Sequence, residues 1–192
     1  MHRPGTSHRV PFDMLIGDWV GVGIVFFPNG AYCSHIASRV RLHEVDVRGE
    51  RHLRYQNFSG GRTELGTPSD PSPPENVHDL FSDVVASLCH CNYEMLFKVD
   101  GKRTVAVEHS PSIVSAVGFM STNDNYSFIV RDTFTPRRGG EPIVLTLHNN
   151  HYFSSSNTRH VFGTISDPQQ RTILLTSFVY TSYTPPPGQD DD

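Results

Sequence analysis

Residues 15–30 read LIGDWVGVGIVFFPNG, and this run says more about the architecture than any other in the chain. It contains the single tryptophan, Trp19, followed by an uncharged segment in which Gly21 and Gly23 share a strand face with Trp19. Glycines inside such a strand mark a bend, a bulge or a close backbone approach, which a sheet that closes on itself needs. Pro28-Asn29-Gly30 then provides a hairpin turn into a second strand. The run predicts the opening hairpin of a closed antiparallel barrel.

Alternation of apolar and polar residues, broken by turn signals, continues through the rest of the chain. Asp100-Gly101 is typical of a type I′ hairpin. The predicted strands cover residues 19–27, 32–45, 52–59, 91–99, 103–109, 113–120, 126–134, 143–154, 158–165 and 171–183. A helical turn is predicted at 12–16 and a helix over 75–88. The predicted fold class is therefore all-β, a closed antiparallel up-and-down barrel of about eight to ten strands with one or two short helices.

A single domain accounts for the sequence. Its 192 residues suffice to bury a sizeable core. Residues 1–11 are predicted to form a flexible N-terminal arm, residues 12–183 the barrel, and residues 184–192 a disordered acidic tail. Residues 60–76, rich in Gly and Pro, are predicted to be a long loop.

Composition and charge exclude several classes of protein. The formal net charge is -4, and no cluster of Lys and Arg provides a nucleic-acid surface. Cys33, Cys89 and Cys91 are an odd set that does not form an extracellular disulfide framework. Residues 1–11 lack the apolar core of a secretory signal, and no run approaches the ~18 apolar residues of a membrane span. We therefore expect a cytoplasmic protein, with homodimerisation left open.

The first hairpin resembles those of the calycins, a group that includes lipocalins, fatty-acid-binding proteins, nitrobindins and phycobiliprotein chromophore lyases. The matching residues are Gly17, Trp19, Gly21, Gly23, Pro28 and Gly30, with Ser38-Arg39 as a weaker match to the lyase-like group. The resemblance implies a barrel with an internal ligand cavity. A nitrobindin-like member binds haem through a histidine, for which His148, His151 or His160 would be the residues to test. A lyase-like member handles a chromophore.

Motifs for the commoner reactions are missing from the sequence. It has no Gly-x-Ser-x-Gly elbow, no phosphate-binding loop and no dinucleotide-binding glycine pattern. Cys89-His90-Cys91 is the densest group of metal donors, but neighbouring residues on a strand point to opposite faces and no second cysteine pair completes four ligands. We therefore predict no metal site and no cofactor, with haem as the alternative.

Aromatic walls with a few polar groups are the usual composition of a small-molecule site. Tyr93, His148 and Arg39 are the candidate catalytic residues. The candidate ligand-binding residues are Trp19, His35, Tyr55, Phe97, Phe128, Arg131, Tyr152 and Phe162. Each aromatic residue has core filling as its alternative, and each arginine has solvation on the outer face. The choice between them depends on which face of each strand points inward, and a single bulge reverses that face.

The leading functional hypothesis is a barrel that binds a small hydrophobic or amphipathic ligand with an acidic or carbonyl group. Such a cavity can also accelerate a reaction without a cofactor, by fixing one conformer and excluding water. A cofactor-free cyclase, isomerase or lyase therefore stands beside a pure binding protein. The alternatives are a haem-binding, nitrobindin-like protein and a non-catalytic interaction module with a filled core.

Overall fold

Ten strands and one short helix make up the computed structural model, which describes residues 12–60, 83–88, 92–121, 125–136 and 140–184. The strands are β1 (Gly17–Phe26), β2 (Tyr32–Val47), β3 (Glu50–Gly60), β4 (Asn92–Asp100), β5 (Arg103–His109), β6 (Ile113–Met120), β7 (Tyr126–Phe134), β8 (Ile143–Ser155), β9 (Thr158–Ser166) and β10 (Thr172–Tyr183). The helix, α1, covers residues 83–88.

Every strand pairs antiparallel with its neighbours in sequence, and β1 also pairs with β10, so the sheet closes. The predicted all-β, up-and-down barrel is confirmed. The strand boundaries agree with the predicted ones to within about two residues. Odd-numbered strands therefore run in one direction along the barrel and even-numbered strands in the other.

The glycines of β1 allow aromatic rings from β10 to pack directly over the β1 backbone on the inner face of the barrel. Gly21 pairs with Tyr180 and Gly23 with Phe178, and the two rings stack with centroids 5.6 Å apart. A Cβ atom at Gly21 would lie only 2.6 Å from the Tyr180 ring and 2.6 Å from the carbonyl oxygen of Val179. The close approach that the sequence predicts at these glycines is therefore present, and its partners are aromatic side chains.

Different segments close the two ends of the barrel. At the turn end, where β1 begins, the N–H of Leu15 donates to the carbonyl of Phe12 (2.9 Å), and the Trp19 indole N–H donates to the carbonyl of Leu15 (2.9 Å). Phe12 and Leu15 belong to the apolar cluster that fills this half of the interior. At the helix end, Val84 and Val85 of α1 are buried against residues of the opposite cluster, which includes Val25.

Several predictions fall on residues outside the described ranges or need qualification. Residues 12–15 form a turn, whereas a helical turn was expected at 12–16. Of the predicted helix over 75–88, the described part, residues 83–88, is helical. The arm at 1–11, the loop residues 61–76 and the tail from 185 lie outside the described residues, so the domain boundaries stay a prediction. No helix in the described part of the chain is long and apolar enough to cross a membrane.

Candidate functional site

The barrel interior contains a cavity of about 90 Å³ between the two apolar clusters. That volume has room for several water molecules or a compact organic molecule. Its apolar lining includes Val40, Met95, Phe128 and Val161. The residues that line it with polar side-chain groups are Ser38, Tyr55, Asn57, Ser59, Tyr93, Asn149, His151, Arg159, Thr176 and Tyr180. A few polar groups among apolar walls are what a small-molecule site requires.

Arg159 is the residue of this cavity with the most unusual surroundings. It is only 2% exposed, and its guanidinium carbon lies 4.7 Å from the ring centroids of both Trp19 and Tyr180. Within the described residues no carboxylate pairs with Arg159, and its Nε atom has no hydrogen-bond partner. Burial lowers the pKa of Arg159, while the nearby tyrosine hydroxyls oppose that shift. The two rings stabilise the cation but leave its hydrogen-bonding capacity unused.

His151 faces the same interior from β8. It is 7% exposed, and its ring packs edge-on against Tyr126 with centroids 5.3 Å apart. Neither ring nitrogen has a hydrogen-bond partner among the described residues. Burial, together with the positive charge of Arg159, holds the pKa of His151 well below its ordinary value. The imidazole is therefore neutral at physiological pH, with one donor and one acceptor nitrogen.

A chain of hydrogen bonds fixes the aromatic ring that covers Arg159. The Tyr180 hydroxyl donates to Ser38 Oγ (3.1 Å), Ser38 donates to Asn57 Oδ1 (2.9 Å), and Asn57 Nδ2 donates to Ser59 Oγ (3.2 Å). Because the chain crosses from β10 to β2 and β3, it ties three strands together beside the cavity. Tyr180 is thereby oriented for its contact with Arg159.

A second polar group lies toward the helix end. The Tyr93 hydroxyl donates to Asp132 Oδ2 at 2.5 Å, and Tyr93 also lines the cavity. The other carboxylate oxygen, Asp132 Oδ1, is buried without a hydrogen-bond partner among the described residues. The interior therefore holds an arginine and an aspartate that are each without an ion-pair partner in the described part of the chain.

Five of the residues predicted for the site face the interior. Tyr55, Tyr93 and Phe128 line the cavity. Phe97 lines a smaller neighbouring cavity of about 20 Å³, and Trp19 packs beneath Arg159. Whether they bind a ligand stays a prediction, but their position is the one that this role requires.

Six other predicted residues lie on the outer face of the barrel. They are Arg39, His35, Arg131, His148, Tyr152 and Phe162. Arg39 Nη2 pairs with Asp18 Oδ2 at 3.3 Å, and His148 Nε2 hydrogen bonds with Ser127 Oγ at 2.8 Å. Tyr152 and Phe162 contact each other, with centroids 5.9 Å apart. Each of the six occupies the strand parity opposite to that of the cavity residues, so the expected placement inside the barrel is corrected for them.

Sequence reasoning missed Arg159, Tyr180 and Asp132, and it named His151 only as a candidate haem ligand. A signal for the inward placement of Arg159 and His151 is present in the alternation of their strands. On β9, Arg159 shares its parity with buried Val161 and Ile165. On β8, His151 shares its parity with buried Leu145. Giving the alternation of buried apolar residues priority over the chemical type of each residue would have placed both side chains inside.

Three solved structures are similar to this chain over about nine-tenths of its length. One is a protein of unknown function from the DUF3598 family of Nostoc punctiforme, with 9% identity and a TM-score of 0.59 over 91% of this chain and 49% of that chain, so this chain spans about half its length. The S-type phycobiliprotein lyase CPES from Guillardia theta has 8% identity and a TM-score of 0.54 over 91% and 92% of the two chains. Rv2717c from M. tuberculosis has 14% identity and a TM-score of 0.52 over 90% and 95%.

These likenesses define the fold class. The chain is a closed ten-stranded barrel of the kind found in the phycobiliprotein lyase, which confirms the predicted calycin-like architecture. At such low identity the likeness concerns the fold and leaves the reaction and the ligand to the site itself. No family model and no curated protein matches the sequence.

Proposed function

We propose that this barrel binds a compact amphipathic molecule whose carboxylate or carbonyl group contacts Arg159. The observation that carries the proposal is an arginine residue that is 2% exposed, lines the cavity and has no carboxylate partner in the described part of the chain. Burying an unpaired charge is unfavourable by several kcal/mol, about 3–5 kcal/mol where a partner has been removed. A ligand anion in the cavity supplies the missing partner.

The surroundings of Arg159 favour such a ligand over a plain hydrocarbon. The rings of Trp19 and Tyr180 each lie 4.7 Å from the guanidinium carbon, so they restrict the position of the guanidinium before a ligand arrives. Neutral His151 adds a second hydrogen-bonding group to the same cavity. Tyr55 and Phe128 supply apolar wall for the body of the ligand.

The same arrangement supports a cofactor-free reaction of the bound molecule. A cation beside a carbonyl oxygen stabilises the negative charge that develops there during enolisation, isomerisation or cyclisation. The apolar clusters on either side of the cavity limit the contact of the reacting group with water. The fold likeness to a phycobiliprotein lyase agrees with handling of an organic ligand. The cavity of about 90 Å³ favours a molecule much smaller than a tetrapyrrole.

Binding can be measured with octanoate and octanol, which share a tail and differ in charge. Trp19, the single tryptophan, contacts Arg159, so its fluorescence reports on the arginine directly. We expect octanoate to bind at least about tenfold more tightly than octanol, because a charge-assisted hydrogen bond contributes ~1.5 kcal/mol or more. Arg159→Met should remove this preference, while Arg131→Met, on the exposed outer face, should keep it.

An Arg159→Lys variant guards against a folding defect, because it retains the positive charge. It should bind octanoate more weakly than the parent protein but still prefer it to octanol. Equal affinities of the parent protein for octanoate and octanol would contradict the proposal. So would a preference for octanoate that survives in Arg159→Met.

His151 favours a second candidate function, haem binding. Its neutral imidazole lines the cavity without a hydrogen-bond partner among the described residues, whereas His148 and His160 have the outward parity of β8 and β9. The donor chemistry fits an iron ligand, but the cavity volume does not fit a macrocycle without rearrangement of side chains. Haem titration should give a Soret band that is lost in His151→Ala and kept in His148→Ala if this function holds. The absence of a Soret band in the parent protein removes it.

A further inference from the structure

We propose that Asn149 and Thr176, which meet over Gly163 on the inner wall of the barrel, form a second recognition point of the cavity and bind a hydroxyl group of the ligand. This inference rests on the proposed function and makes it more specific. It defines the ligand as a hydroxy acid, or a hydroxylated carbonyl compound, whose hydroxyl group is several bonds away from the group at Arg159.

Gly163 brings the two polar side chains together. It lies on β9 and pairs with Asn149 of β8 on one side and with Thr176 of β10 on the other, so the three residues form one row across three strands. A Cβ atom at Gly163 would collide with both Asn149 Oδ1 and Thr176 Oγ1. Because glycine has no side chain, the two oxygens are able to lie over the β9 backbone, close to each other.

The protein leaves the hydrogen-bonding groups of this pair unused. Asn149 and Thr176 both line the cavity, and within the described ranges neither side chain hydrogen bonds to the other or to any other residue. The amide provides two donors and an acceptor, and the hydroxyl provides one donor and acceptor lone pairs. Polar side chains of an interior normally have partners. A pair without them is therefore a candidate for a partner that comes from the cavity.

A hydroxyl group is the ligand group that suits two neighbouring oxygens of this kind. It donates its proton to Asn149 Oδ1 and accepts the proton of Thr176, so both side chains gain a hydrogen bond. A carboxylate has no proton for the amide oxygen, and an alkyl group leaves both side chains without a partner. The acidic group of the ligand therefore belongs at Arg159 and its hydroxyl group at Asn149 and Thr176.

The register of β9 gives the spacing between this pair and Arg159. Arg159 and Gly163 lie four residues apart on the same face of β9, with no register shift between them, so their Cα atoms are about 13 Å apart. His151, which pairs with Val161, lies in the row between them. All of these polar side chains line one cavity. A ligand that contacts Arg159 through its acidic group therefore follows the wall formed by β8, β9 and β10 to reach the second point.

The test compares ω-hydroxy acids with the plain acids of equal length, in the series butanoate, hexanoate and octanoate, by calorimetric titration. At one length the parent protein should bind the hydroxy acid about fivefold to tenfold more tightly than the plain acid, the effect of one added hydrogen bond. Thr176→Val removes the hydroxyl and keeps the branched shape of the side chain, and Asn149→Leu removes the amide. Each should abolish most of this advantage and leave the affinity for the plain acid unchanged.

Two further variants make the test specific to the row at Gly163. Thr164→Val is the matched control for Thr176→Val, because Thr164 has the outward parity of β9, and it should keep the full advantage. Gly163→Ala places a methyl group where the two oxygens lie, so it should also abolish the advantage. Unchanged binding of the plain acid in Thr176→Val shows that the loss is not a folding defect.

The outcomes separate this inference from the proposed function. If the plain acids bind in an Arg159-dependent manner but no hydroxy acid gains at any length, Asn149 and Thr176 bind water only, this inference is wrong and the proposed function stands. A hydroxyl advantage that persists in both Thr176→Val and Asn149→Leu also overturns it. If none of the acids binds, both are wrong. A hydroxyl advantage that depends on Asn149 and Thr176 without any dependence on Arg159 supports this inference alone.

Discussion

The inner and outer faces of the barrel wall carry similar polar residues with different partners. On the outer face, Arg39 pairs with Asp18 at 3.3 Å, and His148 hydrogen bonds with Ser127 at 2.8 Å. On the inner face, Arg159 lacks a carboxylate partner and His151 lacks any hydrogen bond in the described part of the chain. The two outer groups, which water can solvate, have protein partners, whereas Arg159 and His151, which water solvates poorly, have none of these contacts among the described residues.

This contrast is the reverse of what stability alone would favour. Proteins satisfy nearly all of their buried polar groups, because each unsatisfied one is unfavourable by about 1–3 kcal/mol. Interior groups that lack partners are therefore the best candidates for groups whose partners come from a ligand. Substitutions at matched inner and outer positions test this contrast between the two faces.

The largest effect is expected at Gly21, over which the aromatic ring of Tyr180 packs. Gly21→Val places a side chain where Tyr180 and the carbonyl of Val179 each leave only 2.6 Å to a Cβ. We expect a loss of about 3 kcal/mol or more in the free energy of unfolding. The adjacent residue Val22, 60% exposed on the outer face, is the control, and Val22→Thr should change that free energy by no more than about 0.5 kcal/mol. Denaturant unfolding measures both free energies. Comparable losses for Gly21→Val and Val22→Thr would show that the inner face at Gly21 is no more tightly packed than the outer face at Val22.

A smaller effect concerns the acid stability that His151 confers. Burial, with the charge of Arg159, lowers the pKa of His151 far below its ordinary value, so the unfolded chain binds a proton there that the folded protein does not. Stability is therefore fully present above the unfolded pKa of about 6.5 and is lost as the pH falls below it. Between about pH 7.5 and pH 5 the contribution of His151 should fall by about 2 kcal/mol.

His151→Phe keeps an aromatic ring against Tyr126 and removes the titrating group. Its free energy of unfolding should fall about 2 kcal/mol less than that of the parent protein over this pH interval. His148→Phe is the matched control, because it removes a histidine of the outer face and keeps His151. Parallel pH profiles for His151→Phe and the parent protein would show that His151 binds its proton equally well in the folded and unfolded states, which contradicts a buried, neutral imidazole.

Much of the fold can be predicted from the sequence because its signals are local. Alternation with period two predicts the strands, and Asp100-Gly101 predicts a hairpin. The glycines of β1 predict a close approach, which the rings of β10 make. Each strand pairs with its neighbours in sequence, and the additional pairing of β1 with β10 closes the sheet into a barrel.

The site is less predictable because it depends on parity. A one-residue change in register exchanges the two faces, and register shifts occur in β1, β4, β6, β8 and β10. Selecting polar residues by chemistry alone chose Arg39 and His148, which face outward, over Arg159 and His151, which face inward. The Tyr93–Asp132 contact joins two strands that are not neighbours, so no local pattern encodes it. Localisation, oligomeric state and cofactor use stay predictions.

Arg159 on the inner face and Arg39 on the outer face form the next matched pair, and substitution of either should change the free energy of unfolding less than the changes above. Met is close to Arg in length and keeps most of the packing, so Arg159→Met removes an uncompensated charge as well as two cation–π contacts worth ~2 kcal/mol each. Because desolvating the charge is unfavourable by several kcal/mol, the two effects should nearly cancel, leaving a change within about 1 kcal/mol. Arg39→Met breaks a partly exposed ion pair with Asp18 and should lose up to about 1 kcal/mol. If ligand-free Arg159→Met lost more than about 2 kcal/mol in the free energy of unfolding, the role of Arg159 would be to stabilise the fold and not to bind a ligand.

The smallest effect is expected at the aromatic pair on the outer face. Phe162 is 51% exposed and Tyr152 43% exposed, and they pack on each other with centroids 5.9 Å apart, outside the wall that encloses the cavity. Phe162→Ser should leave octanoate affinity within about twofold of the parent value and the free energy of unfolding within about 0.5–1 kcal/mol, the contribution of one exposed aromatic contact. Calorimetric titration and denaturant unfolding measure the two quantities. Since Phe162 and Arg159 lie on the same strand with opposite parity, an affinity loss at Phe162 as large as that at Arg159 would mean that ligands bind the outer face, and the interior groups would then need another explanation.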